Sequence, residues 1–233
     1  AIPLSQESLR FYAAKFGSDH PKTLRMMNNL ASVFHSAGQL DKALPLFAET
    51  LKRRKSKLGP DHPDTLNSLM RLATALVDAE RAEEAGLLFQ EFADRRRKLA
   101  KPDDPGFADQ LALVALQLLR GRQFKNAEAL LRECQTIRLK NEPNEWTTFN
   151  TQSMLGSALF GQKQYADAEP LLVKGYEGMK AREKTIPSQG RGCILEAINR
   201  LIDLYTATNK SNEVKKYKKL REEYLPSPKE VAP

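Results

Sequence analysis

Cysteine is scarce in this chain of 233 residues: the only two, Cys134 and Cys193, lie far apart and without metal-like spacing. That excludes a disulfide scaffold and points to a reducing, cytoplasmic compartment. Aromatic residues make up only 7% and tryptophan occurs once, which leaves little for base-stacking platforms. No run of 18 apolar residues exists, so a membrane-inserted helix is not expected. Ala1 to Arg10 lacks the basic start and apolar stretch of a signal peptide. Also missing are a glycine-rich phosphate loop, a His-Glu-x-x-His pair and a nucleophile elbow. The chain is therefore read as a non-enzyme with no cofactor and no metal. It opens without methionine and enters a helical pattern at once, so it reads as a piece of a longer polypeptide.

What is present is helix-forming: 41% hydrophobic residues, carried mainly by Leu and Ala, and 28% charged ones. Net charge is +8, from 37 basic and 29 acidic residues spread along the chain. That permits acidic partners without marking a site. Sliding the sequence on itself exposes its organisation. Gly17-Ser18-Asp19-His20-Pro21-Lys22-Thr23-Leu24 returns 42 residues later as Gly59-Pro60-Asp61-His62-Pro63-Asp64-Thr65-Leu66. A worn third copy, Lys101-Pro102-Asp103-Asp104-Pro105, keeps the register, so Pro21, Pro63 and Pro105 form an even series. Ala43, Ala85, Ala127, Ala168 and Val214 mark five units.

Within a unit the apolar residues recur at helical spacing, as in Leu66, Leu69, Leu72, Ala73 and Leu76, then Ala85, Leu88, Phe89 and Phe92. Each unit is thus two helices joined by a short breaker: Ala37-Gly38-Gln39, Ala79-Glu80-Arg81, Arg120-Gly121-Arg122 or Gly161-Gln162-Lys163. Small residues are expected where the two helices cross, pairing Ala31 with Ala43, Ala73 with Ala85, Ala115 with Ala127 and Gly156 with Ala168. A bulky residue there overpacks by about 1–3 kcal/mol. The expected boundaries are a truncated second helix over 1–16, repeats over 17–58, 59–100, 101–141 and 142–183, a divergent repeat over 184–224 and a disordered tail over 225–233. Ile186 to Gly192 reads as an irregular bridge, and Pro226 and Pro228 bar a continued helix.

These residues resemble the tetratricopeptide repeat in its long 42-residue form, known from kinesin light chain, in which a Gly-x-Asp-His-Pro-x-Thr-Leu opening and an Asn-Leu-Ala core recur. Asn29-Leu30-Ala31 and Gly38-Gln39-Leu40-Asp41-Lys42-Ala43 carry the likeness. Trp146 to Thr151, Ala168 to Leu172 and Gly175 to Lys180 are similar to repeat regions that follow bacterial, planctomycete-like serine/threonine kinase domains. The third unit departs by lacking the His of the opening, and the fifth by its stretched length and Val214. The resemblance implies an all-α, right-handed solenoid of antiparallel hairpins whose concave groove holds peptides, with no catalytic residues. The function it implies is a protein interaction module, the C-terminal repeat region of a larger bacterial signalling protein. A free-standing scaffold or self-associating subunit is the alternative.

A face turned by roughly 100° from the core stripe of each first helix is expected to line that groove. It holds Asn28, Ser32 and His35; Met70, Thr74 and Val77; Ala112, Leu116 and Leu119; Ser153, Ser157 and Phe160; Asn199, Asp203 and Thr206. Arg25, Asn29, Asn67, Arg71 and Asn150 lie beside it. Asparagines suit the backbone of an extended peptide, and Arg25 and Arg71 suit a carboxylate or phosphate. The expected ligand has an apolar centre and polar flanks. Leu116 and Leu119 serve equally well as packing residues, and Asn28 and Asn29 as internal hydrogen-bonders.

His20 and His62 recur in one setting before a helix-opening proline, which makes them turn residues and not a metal or acid–base site. Cys134 lies on a core stripe. The basic runs Arg53-Arg54-Lys55, Arg95-Arg96-Arg97-Lys98 and Lys215-Lys216 with Lys218-Lys219 fall late in second helices, where they complement the dipole and solvate an outer face. Without interleaved aromatics a nucleic-acid adaptor is the least favoured third reading, one that a steeply salt-dependent affinity for generic DNA or RNA would revive.

Overall fold

The computed structural model describes residues 1–101 and 103–225 and contains two compact units, Ala1–Ala100 and a second that begins at Lys101. Unit 1 holds α1 (Ile2–Phe16), α2 (Pro21–Ser36), α3 (Leu40–Leu58), α4 (Pro63–Asp78) and α5 (Ala82–Leu99). Unit 2 holds α6 (Pro105–Arg120), α7 (Phe124–Asn141), α8 (Trp146–Gly161), α9 (Tyr165–Ala181), α10 (Gly192–Ala207) and α11 (Ser211–Glu222). Within each unit every helix packs on the next, and among the described residues there is no strand. Pro102 and the expected tail beyond Leu225 lie outside the described residues.

The recurring opening is a helix-starting device. Pro21, Pro63 and Pro105 each occupy the first helical position, where a missing N–H costs nothing. The residue before each caps the helix: His20 Nδ1 accepts from Lys22 N at 3.2 Å and His62 Nδ1 from Asp64 N at 3.1 Å. Where the third copy loses its histidine, Asp104 Oδ1 takes over, accepting from Gly106 N at 2.9 Å. Thr23 and Thr65 then anchor the entering chain by donating to Gly17 O and Gly59 O, both at 2.8 Å. Those glycines sit at φ 86° and 88°, a region closed to side chains.

The breakers end the first helices in one way. The middle or last breaker residue, Gly38, Glu80, Arg122 or Lys163, adopts positive φ, as does Asn209 in the turn after α10. The next amide reaches back across the final turn, as Gln39 N does to Phe34 O at 2.9 Å and Arg81 N to Leu76 O at 2.8 Å. This is the Schellman closure, which satisfies carbonyls the helix end leaves open.

The core follows the expected layers: Leu30, Phe34 and Phe47, Leu72, Leu76 and Phe89, Val114, Leu118 and Leu131, and Leu155, Leu159 and Leu172 are all buried. Each contributes about 1.5–3 kcal/mol of apolar burial. At Gly156 the crossing neighbour is Leu172, one turn beyond Ala168: a Cβ there would stand 2.7 Å from Leu172 Cγ, so the absent side chain admits a leucine. The bridge before the last hairpin forms short 3₁₀ turns at Glu183–Thr185 and Ser188–Gly190, with Ile186 buried between them.

The basic runs need correction. Arg54 does not solvate an outer face; only 2% of it is exposed, and its Nη1 donates to Asp64 O at 2.8 Å and Ser68 Oγ at 2.9 Å. Arg138 repeats the arrangement in unit 2, donating to Thr147 O, to Thr151 Oγ1 at 3.0 Å and to Asp109 Oδ1 at 2.7 Å. A guanidinium offers enough donors in a fixed fork to tie a second helix to the first turns of the following one. The neighbouring arginines act at the surface in the same register. Arg53 spans Glu49 and Asp19, and Arg95 spans Glu91 and Asp61.

Candidate functional site

In unit 1 the first helices α2 and α4 share a face. Arg71 on α4 donates from Nε to Asn67 Oδ1 at 2.9 Å, one turn back on its own helix, and from Nη1 across to Ser32 Oγ on α2 at 3.0 Å. Ser32 in turn donates to Asn28 O at 2.9 Å. Two turns from Ser32, Arg25 is exposed on the same side of α2. At the other end of the face His35 Nε2 meets Asp78 Oδ2 at 2.7 Å, half-buried, with the His35 ring edge-on to Phe47. Neither Arg71 nor Arg25 has an ion-pair partner among the described residues, so this end of the face is cationic, while at the other end His35 is hydrogen-bonded to the Asp78 carboxylate. The amino-terminal ends of α2 and α4 add their dipoles to the same sign.

Unit 2 has a different character. On α6, Leu113 is 52% exposed and Leu116 and Leu119 are half-buried. Ser157 and Phe160 on α8 are half-buried, Phe160 resting on Tyr165 with ring centroids 5.7 Å apart. Arg200 of α10 donates to Ser153 Oγ of α8 at 3.1 Å and to Glu196 Oε2 at 3.0 Å. Burial lowers the Arg200 guanidinium's basicity, with Glu196 opposing. Its charge is spent within the fold.

The structure thus brings Arg25, Ser32, His35, Asn67 and Arg71 onto one surface, with Thr74 half-buried beside them. It places Leu116, Leu119, Ser157 and Phe160 within unit 2, with Asn150 half-buried on α8. Asn28 and Ser153 are corrected: they are 4% and 0% exposed and offer a ligand no surface. Ser153 lies where α9 crosses, its Cβ 2.7 Å from the position a Cβ on Gly175 would take. Leu113 was missed because it falls outside the strict core-plus-100° reckoning; its register with Arg71, 42 residues earlier, is the signal that finds it. Cys134 is buried, donating to Ala108 O at 3.2 Å, and burial pushes its thiol up. Cys193 is half-buried with its thiol raised by the same cause.

The family model of the tetratricopeptide repeat matches residues 1–56 and, overlapping, 26–98. Comparison with curated proteins returns no match. Among solved structures, the nearly identical TPR-like repeats of a Podosopora anserina protein assigned as a kinesin light chain are 22% identical. They cover 88% of this chain and 95–96% of their own at TM-scores of 0.69 and 0.67. BtubC (BKLC) from P. vanneervenii is 15% identical, covers 100% of this chain and 95% of its own, and has a TM-score of 0.68. A Rap protein complexed with competence and sporulation factor is 12% identical over 87% of this chain and 63% of its own, at a TM-score of 0.51. These likenesses establish the fold as that of tetratricopeptide-type helical hairpins. Among the described residues no helix is long and apolar enough to cross a membrane.

Proposed function

We propose that the chain is a peptide-binding module whose two units use their first-helix faces differently. The face of unit 1 takes a carboxylate, and the face of unit 2 takes apolar side chains. The observation that carries this reading is Arg71. Its guanidinium is oriented by Asn67 and Ser32, both neutral, so its charge stays uncompensated while its geometry is set. A preorganised, unpaired guanidinium binds a carboxylate at little ordering cost. Leu113, Leu116, Leu119 and Phe160 supply the apolar surface. The similar fold of the Rap protein, solved complexed with competence and sporulation factor, supports a binding role.

Screening the chain on a peptide array tests this. Binders are expected to be enriched in Asp, Glu or a free carboxyl terminus beside apolar residues. Arg71→Glu should erase the acidic preference and Leu113→Asp with Leu116→Asp the apolar one. An array profile unchanged by both sets of variants sinks the proposal.

The similarity of Trp146 to Thr151 and Ala168 to Lys180 to repeat regions that follow kinase domains supports a finer reading. Here the module serves as the C-terminal repeat region of a cytoplasmic bacterial serine/threonine kinase. The reading frame upstream of Ala1 decides it: a frame without a kinase domain overturns this part alone.

A further inference from the structure

The second helices of unit 1 carry a surface that the peptide-binding reading does not use. Between α3 and α5 runs a groove of about 610 Å³, floored by Leu72 and Leu76 of α4. Its walls are Leu40, Leu44, Pro45 and Ala48 on one side and Leu87 and Leu88 on the other. Leu87 is 74% exposed, an unusual state for a leucine beside a pocket.

The chain supplies its own comparison. In the same register of unit 2, Leu44 is replaced by Glu128 and Ala48 by Arg132, which pair at 2.8 Å, while Glu128 also accepts from Gln162 Nε2 at 2.6 Å. The residue matching Leu40 is Phe124, whose ring lies where a Cβ on Gly161 would stand, 2.3 Å away. Pro170 stands in the place of Leu87. Unit 2 places an aromatic ring and a polar network here, beside a smaller hollow of about 320 Å³ lined by Phe124 and Gln162, whereas unit 1 leaves the position wider and apolar. The difference is one of side-chain identity on a common backbone.

The groove's chemistry selects its occupant. Its walls present almost no donors or acceptors, so an extended strand would strand its own N–H and C=O groups there; a helix satisfies them internally. At the mouth, Asp41 is exposed with no ion-pair partner among the described residues. Pro45, inside α3, has no N–H to return to the Asp41 carbonyl, which adds a second acceptor at that end. Glu84 faces the same mouth but is held bidentately by Arg81 at 2.6 and 2.7 Å. Counting side chains, Asp41 leaves the mouth one negative charge beyond the Arg81–Glu84 pair, partly offset by the amino-terminal ends of α3 and α5, in a chain whose overall charge is +8.

We infer that the α3–α5 groove docks an amphipathic helix of a partner protein, with leucine-type residues at i, i+3 or i+4 and i+7 lying between Leu44 and Leu87, and a lysine or arginine at the end that meets Asp41.

The test uses synthetic helical peptides carrying that leucine stripe, one ending in arginine, a twin ending in glutamate, and a control with the stripe changed to serine. Titration into the labelled full chain is expected to show the arginine-ended peptide binding up to about fivefold more tightly than its glutamate twin, and the serine control not binding. Leu87→Glu, exposed enough to leave the circular dichroism spectrum unchanged, should weaken it at least about tenfold. Asp41→Arg should invert the preference between the two charged ends, and Arg71→Glu should leave binding as it was, separating this surface from the first-helix face. Lack of binding, equal binding of both charged peptides, or affinity indifferent to Leu87→Glu overturns the inference. Concentration-dependent self-association abolished by Leu87→Glu would give the groove to a second copy and also overturn it.

Discussion

Arg54 of α3 donates from Nη1 to Ser68 Oγ of α4 across 2.9 Å, with the guanidinium sealed from solvent. Burial depresses its basicity, and the Asp64 carboxylate opposes that. The charge itself is thus costly, and what the residue contributes is volume plus donors for Ser68 and the Asp64 carbonyl. Arg54→Ala leaves both a void and unmet acceptors, and a loss of about 2–4 kcal/mol is expected in urea unfolding. Arg54→Met fills the void and relieves the desolvated charge, and Ser68 can turn its hydroxyl back to the carbonyl four residues earlier. That variant should lose less than about 1.5 kcal/mol. Equal losses for the two would refute this account of the lock.

Turn residues give a second prediction. Gly38, Glu80 and Lys163 close equivalent hairpins with φ of 71°, 59° and 63°. The left-handed conformation costs a side-chain-bearing residue about 1–2 kcal/mol, part of which glycine returns through its greater freedom in the unfolded chain. Glu80→Gly and Lys163→Gly are therefore expected to raise the unfolding free energy, and with it the midpoint, by less than about 1 kcal/mol each, and Gly38→Ala to lower it by about 1 kcal/mol. Midpoints moving the other way would mean the turns are not strained.

Much of this fold was legible because repetition exposes it. A 42-residue offset picks out Pro21, Pro63 and Pro105 as helix starts, and the capping role of His20 and His62 follows from their identical setting. The burial of Arg54 was not legible, since a basic run late in a helix reads as solvated by default. Only the recurrence of Arg54, Arg96 and Arg138 in one register hints that something other than solvent fixes them. The face residues were placed by angle from the core, which fails where helices cross closely. Ser153 meets Gly175 of α9 there, and no angle within one helix reveals how near the next one lies. The α3–α5 groove was invisible for a related reason: it depends on what Leu44 and Leu87 lack opposite them.

Acid should weaken unit 1 through Glu91. Partial burial pushes its carboxyl up, but hydrogen bonds and charge from Lys55 and Arg95 outweigh this and hold it below its usual value. A carboxyl depressed in the folded state contributes stability above its unfolded value, about 4.3, and loses that contribution as pH falls through the folded value. Glu91→Gln should be less stable than the native chain at pH 7, with the gap closing progressively below about pH 4. Unfolding midpoints measured across that range check it, and a gap independent of pH would remove Glu91 from the acid response.

The same substitution at two glycines should act with opposite sign. Gly175 of α9 faces α8 so closely that a Cβ would stand 2.6 Å from Ser153 N and 2.8 Å from Phe149 O. Both are backbone atoms within a regular helix, so they cannot swing aside as a flexible side chain could. Gly175→Ala must push α9 off α8, at a cost of about 1–3 kcal/mol or more. Gly192 opens α10, and a Cβ there meets nothing within 4 Å. Gly192→Ala only narrows the unfolded ensemble and should stabilise by about 0.4–1 kcal/mol. Because α8, α9 and α10 pack against one another, both effects should appear in the same thermal transition of unit 2. A Gly175→Ala chain that unfolds with the native midpoint would show that the α8–α9 crossing has slack, and the reason given for the small residues along it would fall with that result.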